Sequence, residues 1–182
     1  MLLNKTLALL LCLAAGAAQA QNQAALAQAA KKLPRIVQQE LAEMMKSCKE
    51  VGGKPAKSPG LLTVADLTGD GLPDFIIDQG AFFCDGAASL FSGSGGSQMS
   101  VYVGSADGQA SAAFDAGSFG VKVDKDSKPA KLMVTVGGPL CGQKVTDKTP
   151  RSDIKSCWRP VVWNDKTRKM QFAPLSQIQP VQ

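Results

Sequence analysis

The chain has 182 residues, and its formal net charge of +5 comes from 20 lysines and arginines against 15 aspartates and glutamates. The basic residues are scattered along the chain, which argues against nucleic-acid binding because that function needs a dense basic footprint. The sequence has no histidine, so Ser-His-Asp and Cys-His catalysis within the chain is excluded, and the imidazole ligand of most zinc, copper and non-haem iron sites is missing.

Residues 1–20 have the pattern of a cleaved signal peptide. Lys5 supplies a positive start, residues 7–17 form an apolar run, and residues 18–20 are Ala-Gln-Ala, a small-x-small cleavage site. The run is shorter than the roughly 20 residues of a membrane span, although a retained membrane anchor is the alternative. We therefore expect a periplasmic or secreted chain that begins near Gln21 and has no stable membrane insertion after cleavage.

The predicted organisation is simple. Residues 21–34 form an Ala- and Gln-rich N-terminal segment, residues 35–175 a single globular domain, and residues 176–182 an irregular C-terminal tail. Apolar residues recur along one face from Ile36 to Cys48, which predicts an amphipathic helix that begins after Pro34 and ends before two glycines.

Short β-rich runs separated by turn residues follow the helix. The predicted strands cover residues 61–65, 74–78, 100–104, 111–115, 120–123, 131–136, 159–163 and 169–172. The spacers are too short for repeated crossover helices. The predicted fold is therefore α+β, with one N-terminal amphipathic helix packed on a mostly antiparallel β-sheet.

Four cysteines remain after the predicted cleavage: Cys48, Cys84, Cys141 and Cys157. An even number in an exported chain indicates disulfides, and none of the four forms a Cys-x-x-Cys pair. Three pairings are possible, and free buried cysteines are the alternative. We prefer Cys48–Cys84 with Cys141–Cys157, because each pair joins neighbours in the cysteine order.

The strongest local motif spans residues 66–74. Side-chain oxygens fall at loop positions 1, 3, 5 and 9, and a glycine stands at position 6. This spacing can wrap oxygen ligands around calcium, a hard cation that takes six to eight of them. The candidate metal ligands are the side chains of Asp66, Thr68, Asp70 and Asp74 with the backbone carbonyl of Leu72. A metal-free Asp/Gly turn between two strands is the alternative.

This run resembles the calcium loops of FG-GAP and VCBS repeats and of dockerins, which often lie between two strands. It departs from them at Thr68, where Asn or Asp is usual, and Ile77 stands where an EF-hand has its bidentate acid. The resemblance implies a structural Ca²⁺ site. Three carboxylates without a bidentate closing acid predict weak binding, with a dissociation constant of about 10⁻⁴ to 10⁻³ M. A single copy does not support a propeller.

A second resemblance covers the mature chain. The motif at residues 66–74, the segment Phe-Cys-Asp-Gly at 83–86, the Gly/Ser run at 92–97 and the Gly-Gly-Pro-Leu-Cys-Gly run at 137–142 together resemble a set of exported bacterial proteins. That set implies no activity.

These observations predict an exported, non-enzymatic binding or structural protein whose partner is an envelope protein or a glycan. One alternative is an envelope hydrolase that acts on glycan or peptidoglycan through carboxylates such as Asp74, Asp78 and Asp85. The other alternative is an inhibitor or adaptor that presents the loop at residues 92–97 to an envelope protein.

Overall fold

A computed structural model describes residues 33–181. The predicted signal peptide and most of the 21–34 segment lie outside the described residues. Helix α1 covers Arg35–Glu50, and its first backbone hydrogen bond runs from the Gln38 N–H to the Pro34 carbonyl at 3.0 Å. The buried residues Val37, Met44 and Cys48 are spaced seven and four positions apart and so share one helix face. The predicted helix is confirmed.

Twelve strands follow within the described part of the chain. They are β1 (Lys54–Pro55), β2 (Leu62–Ala65), β3 (Asp74–Asp78), β4 (Cys84–Asp85), β5 (Ser92–Gly93), β6 (Gly96–Gly104), β7 (Ala110–Ser118), β8 (Gly120–Asp124), β9 (Lys131–Gly137), β10 (Ser156–Asn164), β11 (Lys169–Phe172) and β12 (Gln179–Pro180). Single 3₁₀ turns cover Gln79–Ala81, Gly138–Cys141, Arg151–Asp153 and Leu175–Gln177.

The longer strands form two five-stranded antiparallel sheets. In the first sheet the order is β2-β3-β6, with β7 on the other edge of β6 and the short β5 paired to the start of β6. In the second sheet the order is β11-β10-β9-β8, with β12 also paired to β10. Strands β1 and β4 form a separate two-stranded ladder. The predicted α+β class with mostly antiparallel strands is confirmed.

The two sheets enclose one apolar core. The first sheet contributes Ile76, Met99 and Val101, and the second contributes Leu132 and Val134, all at most 1% exposed. Residues alternate between the faces of a strand, so Phe75, Ile77 and Tyr102 lie on the outer face of the first sheet. Helix α1 contacts that outer face, which gives a helix–sheet–sheet order of layers.

The two disulfides pair as preferred from the sequence. Cys48–Cys84 joins the last turn of α1 to β4, and Cys141–Cys157 joins the 3₁₀ turn after β9 to β10, with Cα–Cα distances of 5.8 Å in both. On the loop-entropy model each bridge stabilises the fold by about 3 to 4 kcal/mol.

The C-terminal region differs from the predicted irregular tail. Gln179 and Pro180 pair with Trp158 and Cys157 of β10. The sequence carries no strand signal there, because a proline cannot donate to a ladder and is tolerated only at an edge or a bulge. The pairing depends instead on the free edge that β10 offers beyond the end of β11.

Candidate functional site

The predicted calcium turn joins β2 to β3, which is the strand–loop–strand setting expected from the sequence. Within it the Asp66 carboxylate accepts hydrogen bonds from the backbone N–H of Gly69 at 2.6 Å and of Gly71 at 2.9 Å. The Asp70 carboxylate accepts one from the Leu72 N–H at 2.8 Å. These carboxylates therefore organise the backbone of the turn itself.

Asp74 is fully buried at the end of the same turn. Its Oδ2 accepts hydrogen bonds from the N–H of Leu67 at 2.7 Å and of Thr68 at 3.2 Å, and its Oδ1 accepts one from the Gly104 N–H at 3.0 Å. Burial raises the pKa of Asp74 to about 6, although the three backbone donors act in the opposite direction. A side chain on Gly104 would place its Cβ 2.1 Å from the Pro73 carbonyl oxygen, so glycine is required for this approach.

Only some of the predicted calcium ligands lie close to one another. The Thr68 hydroxyl lies 3.5 Å from Asp66 Oδ1, whereas Asp74 faces inward toward β6. Across residues 33–181, no group of three or more His, Cys, Asp or Glu side chains is arranged to hold a metal ion. Calcium binding by Asp66, Thr68, Asp70, Leu72 and Asp74 therefore stays a prediction.

A separate cleft lies where the chain crosses from the first sheet to the second. Strand β7 ends at Ser118 and β8 begins at Gly120, so Phe119 is the single residue between strands of different sheets. The cleft has a volume of about 380 Å³. Its lining consists of Asp78, Gly80, Ala81, Ser92, Gly93, Gly96, Ser97, Ser118, Phe119 and Gly120. We call it the crossover cleft.

The polar groups of the crossover cleft are held by close backbone packing. Asp78 caps the 3₁₀ turn that follows β3, since its Oδ1 accepts a hydrogen bond from the Gly80 N–H at 3.0 Å. Burial raises the pKa of Asp78. The Ser97 hydroxyl lies 3.4 Å from the Ser118 carbonyl oxygen. A Cβ on Gly80 would lie 2.5 Å from Ser97 Oγ and 3.2 Å from Asp78 Oδ1, so this glycine lets the carboxylate and the hydroxyl approach one another.

Phe119 supplies the apolar edge of the crossover cleft. Its backbone N–H donates to the Thr135 carbonyl of β9 at 2.8 Å, which fixes the backbone, while the side chain is 55% exposed. Asp78 is the one charged residue of the lining. Of the three serines in the lining, Ser118 is only 2% exposed, so the cleft offers one carboxylate, the hydroxyls of Ser92 and Ser97 and an exposed aromatic ring.

The acids of the predicted hydrolase do not share this cleft. Asp78 lines it, Asp74 is buried under the turn, and Asp85 is exposed on β4 opposite Lys54. The predicted presenting loop at residues 92–97 is the β5–β6 hairpin, and it forms one wall of the cleft.

Sequence reasoning missed the contributions of Gly80, Ser118 and Phe119. The one available signal was a large apolar residue between two predicted strands, with a serine before it and a glycine after it. Because the predicted strand ended at residue 115, that segment resembled an ordinary loop.

Arg159 is a buried cation on the core side of β10. Its Nη1 donates to the Leu140 carbonyl at 2.6 Å, its Nη2 donates to the Ala173 carbonyl, and its Cζ lies 4.9 Å from the centroid of the Phe172 ring. Burial lowers the pKa of Arg159. Its Nε has no hydrogen-bond partner among the described residues. Arg159 therefore joins the 3₁₀ turn after β9 and the C-terminal segment to the second sheet.

No helix in the described part of the chain is both long and apolar enough to cross a membrane.

Comparison with known proteins gives no relative. No protein-family model matches the chain, and neither a curated protein nor a solved structure matches it.

Proposed function

We propose that this protein is an exported, non-enzymatic binding protein that holds a glycan in the crossover cleft. The observation that carries the proposal is the composition of the cleft lining, with hydroxyls, a carboxylate and an exposed ring around about 380 Å³. Small-molecule sites in proteins have volumes of about 300 to 1,000 Å³ and a few well-placed polar groups.

The groups in the cleft match the chemistry of a sugar. The hydroxyls of Ser92 and Ser97 and the Asp78 carboxylate, all part-exposed, can exchange hydrogen bonds with sugar hydroxyls. Phe119 presents an apolar ring, 55% exposed, on which the C–H face of a sugar can pack. Exposed aromatic side chains and convergent polar groups in one concavity are typical of a ligand site rather than of a core.

The cysteine pairing supports export. Both disulfides are formed, and disulfides persist in oxidising compartments such as the periplasm and the extracellular space. We therefore place the protein in the periplasm or outside the cell, after removal of residues 1–20. Mass spectrometry of the protein recovered from the envelope fraction tests this, with an N-terminus at Gln21 as the expected result and an intact Met1 as the contrary one.

Two glycines of the β5–β6 hairpin provide a matched pair of variants to test the cleft. A Cβ on Gly93 or on Gly95 would meet nothing within 4 Å, and neither backbone has a positive φ, but only Gly93 lines the crossover cleft. Gly93→Trp should fill the cleft, whereas Gly95→Trp adds the same bulk outside it.

Isothermal titration with soluble peptidoglycan and chitin fragments gives the readout. We expect the unmodified protein and Gly95→Trp to bind at least one of these glycans and Gly93→Trp to lose that binding. No binding by the unmodified protein, or equal binding by both variants, would overturn the proposal. Release of new reducing ends, lost in Asp78→Asn, would favour the carboxylate hydrolase instead.

A further inference from the structure

We infer that the glycan held in the crossover cleft carries a free ammonium group that pairs with Asp78, as in an amino sugar that is not acetylated. This inference rests on the proposed function and names the chemical class of its ligand.

The first support is that Asp78 has no cationic partner. In the described residues the single ion pair is Lys46–Glu50 at 3.6 Å on α1. The Asp78 Oδ1 accepts one backbone hydrogen bond from Gly80, and its Oδ2 makes no hydrogen bond within residues 33–181. One carboxylate oxygen is therefore available to a ligand, and its charge is not balanced by the protein.

The second support is the setting of that carboxylate. Asp78 is half-buried, and desolvation disfavours a carboxylate that has no compensating charge. A bound ammonium group would replace the lost solvation with a charge-assisted hydrogen bond, which is stronger than a hydrogen bond between neutral groups. An acetamido or hydroxyl group at the same position cannot supply that charge.

The third support is the remainder of the lining. Phe119 presents an exposed ring in the same cleft, and the face of an aromatic ring attracts a cation within about 6 Å of its centroid. The part-exposed Ser92 and Ser97 are uncharged, and their hydroxyls can donate hydrogen bonds to sugar hydroxyls or accept hydrogen bonds from them. Since Asp78 is the one charged residue of the lining, the cleft favours cationic over anionic ligands.

Three disaccharides that differ only at C2 test the inference. They are the β-1,4-linked dimers of glucosamine, N-acetylglucosamine and glucose, titrated calorimetrically at pH 7 into the full mature protein. We expect the glucosamine dimer to bind about tenfold more tightly than the other two. The ratio of the affinity for the glucosamine dimer to the affinity for the other two should fall as the salt concentration rises, because salt screens charge pairs.

Two variants and one control assign the preference to the carboxylate. Asp78→Asn keeps an acceptor oxygen to cap the 3₁₀ turn and should reduce the preference to within about twofold. Phe119→Leu changes an exposed residue and should weaken binding of the glucosamine dimer. Asp85→Asn removes an exposed carboxylate outside the cleft lining and should leave the preference unchanged.

The outcomes separate this inference from the proposed function. Equal binding of all three disaccharides, or a preference that survives in Asp78→Asn, would overturn the inference while the glycan-binding function stands. No binding of any of the three, together with no binding of longer glycans, would overturn both. Circular dichroism of each variant confirms that a lost preference does not come from a lost fold.

Discussion

The hydroxyl of Tyr102 on β6 donates a hydrogen bond to the carboxylate of Glu40 on α1, 62 positions earlier in the chain. The same carboxylate accepts hydrogen bonds from Ser100 Oγ at 3.1 Å and from Gln79 Nε2 at 3.2 Å. One acidic side chain of the helix thereby meets three polar groups of the first sheet and of the turn after β3. This polar contact fixes the position of α1 on the outer face of that sheet.

Removal of the tyrosine hydroxyl should weaken this contact. We expect Tyr102→Phe to lower the free energy of unfolding by about 1 to 2 kcal/mol, because a hydrogen bond to a charged group is lost while the ring keeps its packing. Urea denaturation provides the measurement. The control is Ser105→Ala, which removes an exposed hydroxyl that donates to Asp107 at 2.6 Å and should change stability by less than about 0.5 kcal/mol. Equal effects of the two variants would contradict the prediction.

The stability of the fold should also fall at alkaline pH through Tyr102. Burial raises the pKa of Tyr102 well above its ordinary value, and the hydrogen bond to Glu40 acts in the same direction. The folded state therefore keeps the phenol protonated above about pH 10, where an unfolded tyrosine ionises, and stability is lost as the pH rises past that point.

The chain has one tyrosine, so the ultraviolet absorbance of tyrosinate reports on this residue alone. We expect ionisation of Tyr102 to accompany unfolding, and we expect Tyr102→Phe to show a weaker loss of stability between pH 9 and 11. Ionisation near pH 10 in a protein that stays folded would contradict the assignment.

Asp74 and Asp70 should respond very differently to the same substitution. Asp74 is buried and accepts three backbone hydrogen bonds, whereas Asp70 is exposed and accepts one. In Asp74→Asn an amide nitrogen would face a backbone N–H donor, and we expect a loss of about 3 kcal/mol. Asp70→Asn should cost less than about 0.5 kcal/mol. Denaturant unfolding of both variants measures the two losses of unfolding free energy. Losses of similar size would show that Asp74 has no special structural role.

The calcium prediction has a thermal test. An ion that binds only the folded state raises the unfolding midpoint as its concentration exceeds the dissociation constant. The prediction from the 66–74 motif is therefore a higher midpoint in millimolar calcium, a lower one with chelator, and a smaller response in Asp70→Asn. An unchanged midpoint would identify the motif as a metal-free turn, whose order comes from the carboxylate-to-backbone hydrogen bonds of Asp66 and Asp70.

The sequence was most informative where local pattern and burial agree. The helix could be placed because its apolar spacing follows the helical period, and β3 because Phe75, Ile76 and Ile77 form a short apolar run that follows a turn signal. Strand β3 was predicted with its observed ends. Strand β10 is longer than predicted, since Ser156–Asn164 begins before the apolar run. Its first residues are strand because they pair with Val136 and Gly137 of β9, a contact that a local pattern does not contain.

The crossover cleft could not be predicted because it is assembled from distant segments. Asp78 and Phe119 are brought to one concavity by the pairing of β3 with β6 and of β6 with β7. The 66–74 motif illustrates a different limit. An aspartate in a turn can accept backbone N–H groups or ligate a cation with the same oxygens, so the residue type alone leaves both roles open.

The placement of the disulfides has a mechanical consequence. One bridge joins α1 to β4 and the other lies between β10 and the turn after β9, so neither of them connects the first sheet to the second. Apart from the chain crossing at Phe119, the sheets are held together by noncovalent contacts such as the Phe114–Phe172 ring pair, with centroids 5.1 Å apart, and the hydrogen bond from Lys169 Nζ to the Ala112 carbonyl at 2.6 Å. Under a pulling force applied at the two ends of residues 33–181, the two sheets can therefore separate from each other while both disulfides stay intact.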